Sequence, residues 1–489
     1  MRRSHLYRRG LSFLLVAPSF LMAQDSSSVF RSDVRLKEVN LIASTKDGPV
    51  LDLTRDDFEI YEDGKRREIK LFLPQGPEPV SFRTVSSSPV VANTPAVTGA
   101  HTVILLDWLN TDLPDRAYAS QKLTRMLSTV QPNDLVAIYV IERGLRVVHD
   151  FSSDPAILAE AVRRMRGNAD TPPDLGAFGP ATRATEEIAR LDLRTRAAIT
   201  QASLKQIQQR MAGIPGRKNL IWLSSRFGEN WSPQTPGLAV YPVDSRGLTS
   251  GNPLDLAQSK AVPSLIAAAI QRADEKKIQQ LSKEASLTGG HAYTGRNDLD
   301  AVMREILDDG ATSYTLGYTV PEAPKPGKHT IRVRVARKGV TLRYADSFTV
   351  EKPTPPEDTA KRMGEAFTRP LDITELPIAG SARPIGDSVR LNIQVPTSLI
   401  TLTPLGEGWQ VRLDLAVRFI APDDVGTGAA QYLLQTMNLP LAGDAYQKAL
   451  TDGLSITAAL SRPPTANSLR LLVRDVVTGV LGTLTLSIE

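Results

Sequence analysis

The sequence predicts an α/β fold: a doubly wound parallel sheet with flanking β modules and a C-terminal β-sandwich. Three observations point there. Apolar runs without polar alternation recur between residues 102 and 243, separated by stretches with helical spacing, as strands buried on both faces require. Outside that region the pattern changes to short alternating segments broken by Gly, Pro and Asp. Two Pro-rich stretches, 74–98 and 352–375, read as linkers.

The elements follow in order. Residues 1–23 carry Arg2, Arg3, Arg8 and Arg9 ahead of an apolar run from Leu11 to Ala23, the pattern of a secretory signal peptide. That run is short for a membrane span, which needs about 20 apolar residues, and no other stretch is long and apolar enough, so the mature chain is expected to have no transmembrane segment. Residues 31–73 form an N-terminal β module. Thr54 is placed to cap the turn Arg55-Asp56-Asp57, and Asp63-Gly64 signals a hairpin. Residues 99–312 hold the α/β domain. Its expected strands are Thr102–Leu106, Leu135–Ile141, Asn219–Ser224 and Leu238–Val243, with Leu145–Val148 a hairpin return. Helices are expected from Pro114, over 155–165, up to about 212, over 263–288 and over 298–309. The run Thr288-Gly289-Gly290 is read as a helix terminator. Residues 313–351 give three strands, 313–320, 329–336 and 340–350, free to pair with the N-terminal module. Residues 376–489 read as an immunoglobulin-like β domain, with strands near 389–395, 399–403, 409–419, 454–460, 469–473 and 480–488.

Composition removes several functional classes. The chain of 489 residues has a net charge of +5 with no dense basic block after residue 10, which argues against a nucleic-acid partner. It has no cysteine, so disulfides, thiolate metal sites and thiol nucleophiles are absent. Its five histidines show no zinc-ligand spacing, and neither a Gly-x-Ser-x-Gly elbow nor a phosphate-binding Gly-x-x-x-x-Gly-Lys loop occurs. A hydrolase acting on a cell-envelope polymer through two carboxylates stays open, because sequence spacing does not show which carboxylates face each other.

The residues that invite a functional reading sit where the first buried strand ends: Asp107-Trp108-Leu109-Asn110-Thr111. In doubly wound sheets ligands gather at that edge. The segment resembles the start of the metal-ion-dependent adhesion site of von Willebrand factor A domains, Asp-x-Ser-x-Ser. The resemblance implies Mg²⁺ held by Asp107 and Thr111, with a partner's carboxylate completing the shell. Leu109 replaces the first serine of that pattern, and Ser224-Ser225-Arg226 stands where the family has a later aspartate, so the resemblance implies a degenerate site. The family's intermediate threonine would be Thr182 or Thr185. More widely, the ordered series Leu53–Lys65, Leu106–Thr111, Tyr241–Leu248, Thr288-Gly289-Gly290 with Asn297–Leu299, and Tyr314–Tyr318 resembles bacterial exported proteins related to von Willebrand factor A.

That resemblance implies export and an A-type domain flanked by β structure. Together with the missing catalytic signatures, it leads to the expectation of a secreted or periplasmic protein that binds a protein ligand and is not an enzyme. Trp108 and Asn110 are the expected partner-binding residues. Structural roles compete at each position. Asp107 can accept backbone N–H bonds at the sheet edge, and Asn110, Thr111 and Asp112 can cap the helix that Pro114 opens. Trp108 can be an exposed anchor or can pack beneath a loop.

Overall fold

The computed structural model describes residues 35–74, 90–94, 100–132, 134–166, 183–214, 216–227, 237–245, 264–320, 325–350, 356–421 and 433–488. The expected signal peptide, residues 1–23, and Thr182 lie outside them. The described residues fall into two compact units, one built from 35–74 and 100–350, the other from 90–94 and 356–488. Among the described residues no helix is long and apolar enough to cross a membrane.

The first unit begins with β1 (Arg35–Thr45), β2 (Gly48–Pro49), β3 (Phe58–Glu62), β4 (Lys65–Arg67) and β5 (Ile69–Pro74). Thr54 donates its backbone N–H to the Asp57 carboxylate at 2.7 Å, closing the turn before β3. Asp63 and Gly64 both take positive φ, 49° and 78°, the geometry that a two-residue hairpin demands. The strand β6 (Val91–Ala92) belongs to the other unit.

The α/β part follows: β7 (Ala100–Asp107), α1 (Leu113–Leu127), β8 (Asp134–Ile141), β9 (Leu145–Ser152), α2 (Pro155–Arg166), α3 (Arg183–Met211), β10 (Lys218–Ser224), β11 (Leu238–Asp244), α4 (Ser264–Leu287) and α5 (Leu299–Ala311). The strands form one sheet in the order β11-β10-β7-β8-β9. All neighbours are parallel except β9, which returns antiparallel along β8. Every residue of β7, β8, β10 and β11 is buried, which is why their sequences run apolar without alternation. Helix α5 packs on β7, β10 and α1, α3 on β8, and α4 on β11. Gly290 is required here: a Cβ would sit 2.0 Å from the Val240 carbonyl oxygen. Just after it, Tyr293 forms a parallel bridge with Val243.

The chain then re-enters the β module with β12 (Ser313–Val320), β13 (Gly327–Val335), β14 (Thr341–Tyr344) and β15 (Ser347–Val350). β1 pairs antiparallel with β12 from Arg35↔Val320 to Ile42↔Ser313. The segments before and after the α/β part thus make two four-strand paths, β14-β1-β12-β5 and β15-β13-β3-β4. They share a core of Leu41, Ile60, Tyr314, Leu316, Tyr318 and Val333. The expected single strand 340–350 is two. β14 pairs with β1 and β15 with β13, so the chain crosses between sheets at Ala345-Asp346. A buried polar chain ties this module to the α/β part. Arg217 Nη2 donates to Tyr241 Oη at 2.8 Å, and Tyr241 Oη donates to Asp309 Oδ2 at 2.8 Å. Arg343 of β14 then pairs with Asp309.

The second unit contains α6 (Pro356–Thr368), β16 (Ala379–Ile385), β17 (Ser388–Val395), β18 (Leu402–Leu405), β19 (Gly408–Ile420), β20 (Leu433–Leu441), α7 (Gly443–Asp452), β21 (Leu454–Ser461), β22 (Ser468–Asp475) and β23 (Leu481–Ser487). Its sheets are β21-β17-β16-β6 and β18-β19-β22-β23, with β20 also on β19. Val389, Leu391, Leu413, Leu415, Leu471 and Leu484 from both sheets share one core. Both expected linkers need correction. Within 74–98, β6 pairs with Ala379 and Gly380. The Asn93 amide bonds the backbone of Ile373, Leu376 and Ile378, which fixes Val91–Thr94 within the second unit. Within 352–375, α6 buries Met363, Ala366 and Phe367 against Ala416, Leu472 and Leu481. Its helical apolar stripe was masked by the flanking prolines.

Candidate functional site

β7 ends at Asp107, and a single 3-10 turn, Trp108–Asn110, follows before α1. The parallel register sets β10 beside β7, pairing Leu223 with Leu106. Ser224 therefore falls next to Asp107 at the same edge, and Ser224 in turn pairs with Asp244 of β11.

Asp107 is fully buried (0% exposed). Its carboxylate is enclosed by donors. Asn110 gives its backbone N–H to Oδ1 at 3.2 Å, and its side-chain Nδ2 lies 3.0 Å from Oδ1 and 2.9 Å from Oδ2. Trp222 Nε1 and Ser224 Oγ each donate to Oδ2 at 3.2 Å. Asn110 Nδ2 also reaches Thr200 Oγ1 of α3 at 2.9 Å, so one amide nitrogen sits among three oxygens. Burial pushes the Asp107 carboxyl up to about 6, against the opposing pull of the bonds from Asn110, Trp222 and Ser224.

The loops after β7 and β10 are laced together. Ser225 N–H donates to Thr111 Oγ1 at 3.3 Å, and Asp112 N–H donates to Ser225 Oγ at 3.3 Å. Arg226 Nη2 grips both oxygens of Asp112 at 2.7 and 2.6 Å. Arg116 Nε donates to the Thr111 carbonyl at 2.7 Å, and Arg196 Nη1 to the Leu109 carbonyl at 2.6 Å. Leu109 and Asn110 are half-buried, while Asp112 and Arg226 stand exposed. The rim facing solvent is an ion pair beside an apolar step.

No family model matches the chain and no curated relative is found. Solved structures do match. An aerotolerance-related membrane protein from Bacteroides fragilis is 14% identical over 43% of this chain and 98% of its own, with a TM-score of 0.25. The ArnB paralog VWA2 from Sulfolobus acidocaldarius is 10% identical over 68% of this chain and 78% of its own, with a TM-score of 0.24. The vWF domain of the type V pili tip protein Mfa5 from Porphyromonas gingivalis is 17% identical over 27% of this chain and 38% of its own, with a TM-score of 0.17. Two of these three are described as von Willebrand factor-type proteins.

The adhesion-site residues of that family can now be tested against the geometry. Mg²⁺ wants about six oxygens in an octahedron at roughly 2.0–2.1 Å and keeps several waters. Here amide and indole N–H groups, which cannot ligate a cation, face both oxygens of Asp107. Thr111 is buried, and its hydroxyl accepts from Ser225. The carboxylate of Asp112 is taken by Arg226. Among the described residues no group of three or more His, Cys, Asp or Glu side chains could hold a metal ion. Arranged this way, the residues do not fit Mg²⁺.

Trp108, expected as an exposed anchor or packed beneath a loop, is 4% exposed and belongs to the core cluster with Ile104, Leu123 and Ile138. It is no docking anchor. The ring has to go somewhere when the strand turns, and the space above β7 and α1 is the apolar option. Asn110 is half-buried and spends its side chain on Asp107 and Thr200. The sequence reading missed Trp222, Thr200 and Arg196. Trp222 left one signal: a tryptophan inside a buried strand needs a partner for its indole N–H. Thr200, ninety residues from Asn110 on a long polar helix, left none.

Proposed function

We propose that this chain is an exported, non-enzymatic protein that binds a protein ligand, in adhesion or scaffolding, outside the cytoplasm. In this reading the α/β part is a doubly wound von Willebrand factor A-like domain with a degenerate metal-ion-dependent adhesion site, and the second unit is an immunoglobulin-like β-sandwich. The ordered motif series and the basic-then-apolar leader support the family and the export. The observation that carries the mode of binding is Asn110 Nδ2, lodged between the two Asp107 oxygens and Thr200 Oγ1. An amide N–H group occupies the place at the carboxylate that a cation would take, so contact with the partner falls to the rim of exposed Asp112 and Arg226 and half-buried Leu109, without a metal.

The experiment pairs metal titration with capture of partners. Calorimetry of the full chain with Mg²⁺ and Mn²⁺ is expected to be flat. Envelope proteins captured by the immobilised chain are expected to be the same in Mg²⁺ and in a chelator, and to be lost with Leu109→Asp or Arg226→Glu. Heat of Mg²⁺ binding that vanishes in Asp107→Ala would replace this reading with metal-dependent binding through Asp107 and Thr111. Turnover of a cell-envelope polymer would replace it with a hydrolase.

A further inference from the structure

The strand β13 reads Gly327-Lys328-His329-Thr330-Ile331-Arg332-Val333-Arg334-Val335. Ile331 and Val333 point into the core, so the two-residue period turns Lys328, Arg332 and Arg334 to the opposite side, where all three are exposed. Register extends that face across the neighbouring strands. Arg332 pairs with Tyr61 of β3, Tyr61 pairs with Arg66 of β4, and Arg334 pairs with Glu59. Lys328, Arg332, Arg334 and Arg66 therefore share one side of a sheet with Glu59, and the Asp63 carboxylate reaches that side at Thr330, whose hydroxyl donates to it at 3.2 Å.

The internal pairing leaves part of that positive charge uncompensated. Glu59 accepts from Tyr61 Oη at 2.9 Å and pairs with Arg66 at 3.0 Å. Arg334 lies over the Tyr61 ring at 5.0 Å. Arg332 and Lys328 have no ion-pair partner among the described residues. Folding does not call for such clustering, because like charges on adjacent strands repel. Along β13, β15 pairs Gly327–Thr330 and β3 pairs Ile331–Val335, so the stretch bearing Arg332 and Arg334 has a strand on one side and its other backbone edge outside these pairings.

We infer that this face docks a carboxylate-rich segment or surface of a protein partner. Three of the four cations are arginines, whose planar forks match carboxylates bidentately, and they surround a tyrosine. Arg and Tyr are the side chains that protein interfaces enrich, and Lys the one they deplete. The face offers no apolar side chain to enter a bilayer. Arg332 and Arg334 repeat along the strand at about 6.7 Å, the pitch at which an extended peptide repeats every second side chain. This surface is separate from the rim of the Asp107 loops, so it stands or falls independently of it.

The test uses the full chain and a fluorescent peptide of alternating Glu and Thr, read by anisotropy at low and at physiological ionic strength. The double variant Arg332→Glu/Arg334→Glu is expected to weaken binding by at least about tenfold, as loss of paired interface charges does. Arg163→Glu/Arg164→Glu on α2 makes the same change in net charge at exposed positions, and is expected to stay within roughly twofold. Arg332→Gln/Arg334→Gln, which removes charge without adding repulsion, keeps the result interpretable should the reversal unfold the sheet. Equal loss in both charge-reversed pairs, no loss in the Gln variant, or binding to anionic phospholipid vesicles in place of the peptide would each overturn the inference.

Discussion

Replacing Asn110 by alanine tests the site most directly. The change deletes the Nδ2 contacts of 3.0 and 2.9 Å to Asp107 and of 2.9 Å to Thr200, and leaves the backbone N–H on Asp107 at 3.2 Å. A hydrogen bond to a charged group contributes about 1.5–3 kcal/mol. Both carboxylate contacts come from one nitrogen, so a loss of about 2–3 kcal/mol is expected while Asp107 is ionised. The loss should depend on pH. Burial already raises the Asp107 carboxyl to about 6, and removing a donor raises it further. A carboxyl whose folded value is raised binds its proton more tightly in the folded state, so its contribution is fully present below the unfolded value and is lost as pH rises through the folded one. Near pH 8 both proteins carry the buried charge and the variant lacks the bond that offsets it. Near pH 5 both carboxyls are largely protonated, and the difference should shrink to about 1 kcal/mol. Urea unfolding followed by tryptophan fluorescence at the two pH values measures this, because Trp108 and Trp222 flank the site. An equal loss at both values, or none, would refute the arrangement of Asn110 on Asp107.

Three further outcomes are expected. In the unaltered protein the Trp222 indole N–H resonance should titrate with a midpoint near 6 as Asp107 gains its proton. That titration corresponds to about 3 kcal/mol of stability lost between pH 4 and 7, and a midpoint near 4 would contradict it. Gly290→Ala places a methyl 2.0 Å from the Val240 carbonyl oxygen. It should cost about 1–3 kcal/mol or more, read as a fall of several degrees in Tm, whereas an unchanged Tm would mean that the helix end does not press on β11. Tyr241→Phe removes the hydroxyl between Arg217 and Asp309 and should cost about 1–3 kcal/mol in denaturant unfolding. A neutral outcome would show that those two groups find each other without it.

What the chain's linear order determined is the periodicity of its burial. Strands buried on both faces must be apolar throughout, so β7, β8, β10 and β11 could be read to within about two residues. Thr54 and Asp63-Gly64 likewise announced their turns, because capping and positive φ are demands on single residues. Pieces without a clear apolar period were not legible. β16 reads Ala-Gly-Ser-Ala-Arg-Pro-Ile and β20 ends in Asn-Leu-Pro-Leu, and neither pattern exceeds what a loop shows; α6 hid among prolines. The site divides in the same way. Asp107 was visible as a carboxylate at a strand end. Its partners are set by register and by helix placement, which join Asn110 to Thr200 and Trp222 to Asp107 across about a hundred residues. Whether a buried charge meets a metal, a proton or an amide depends on which donors the packing brings within 3 Å, and only the assembled fold decides that.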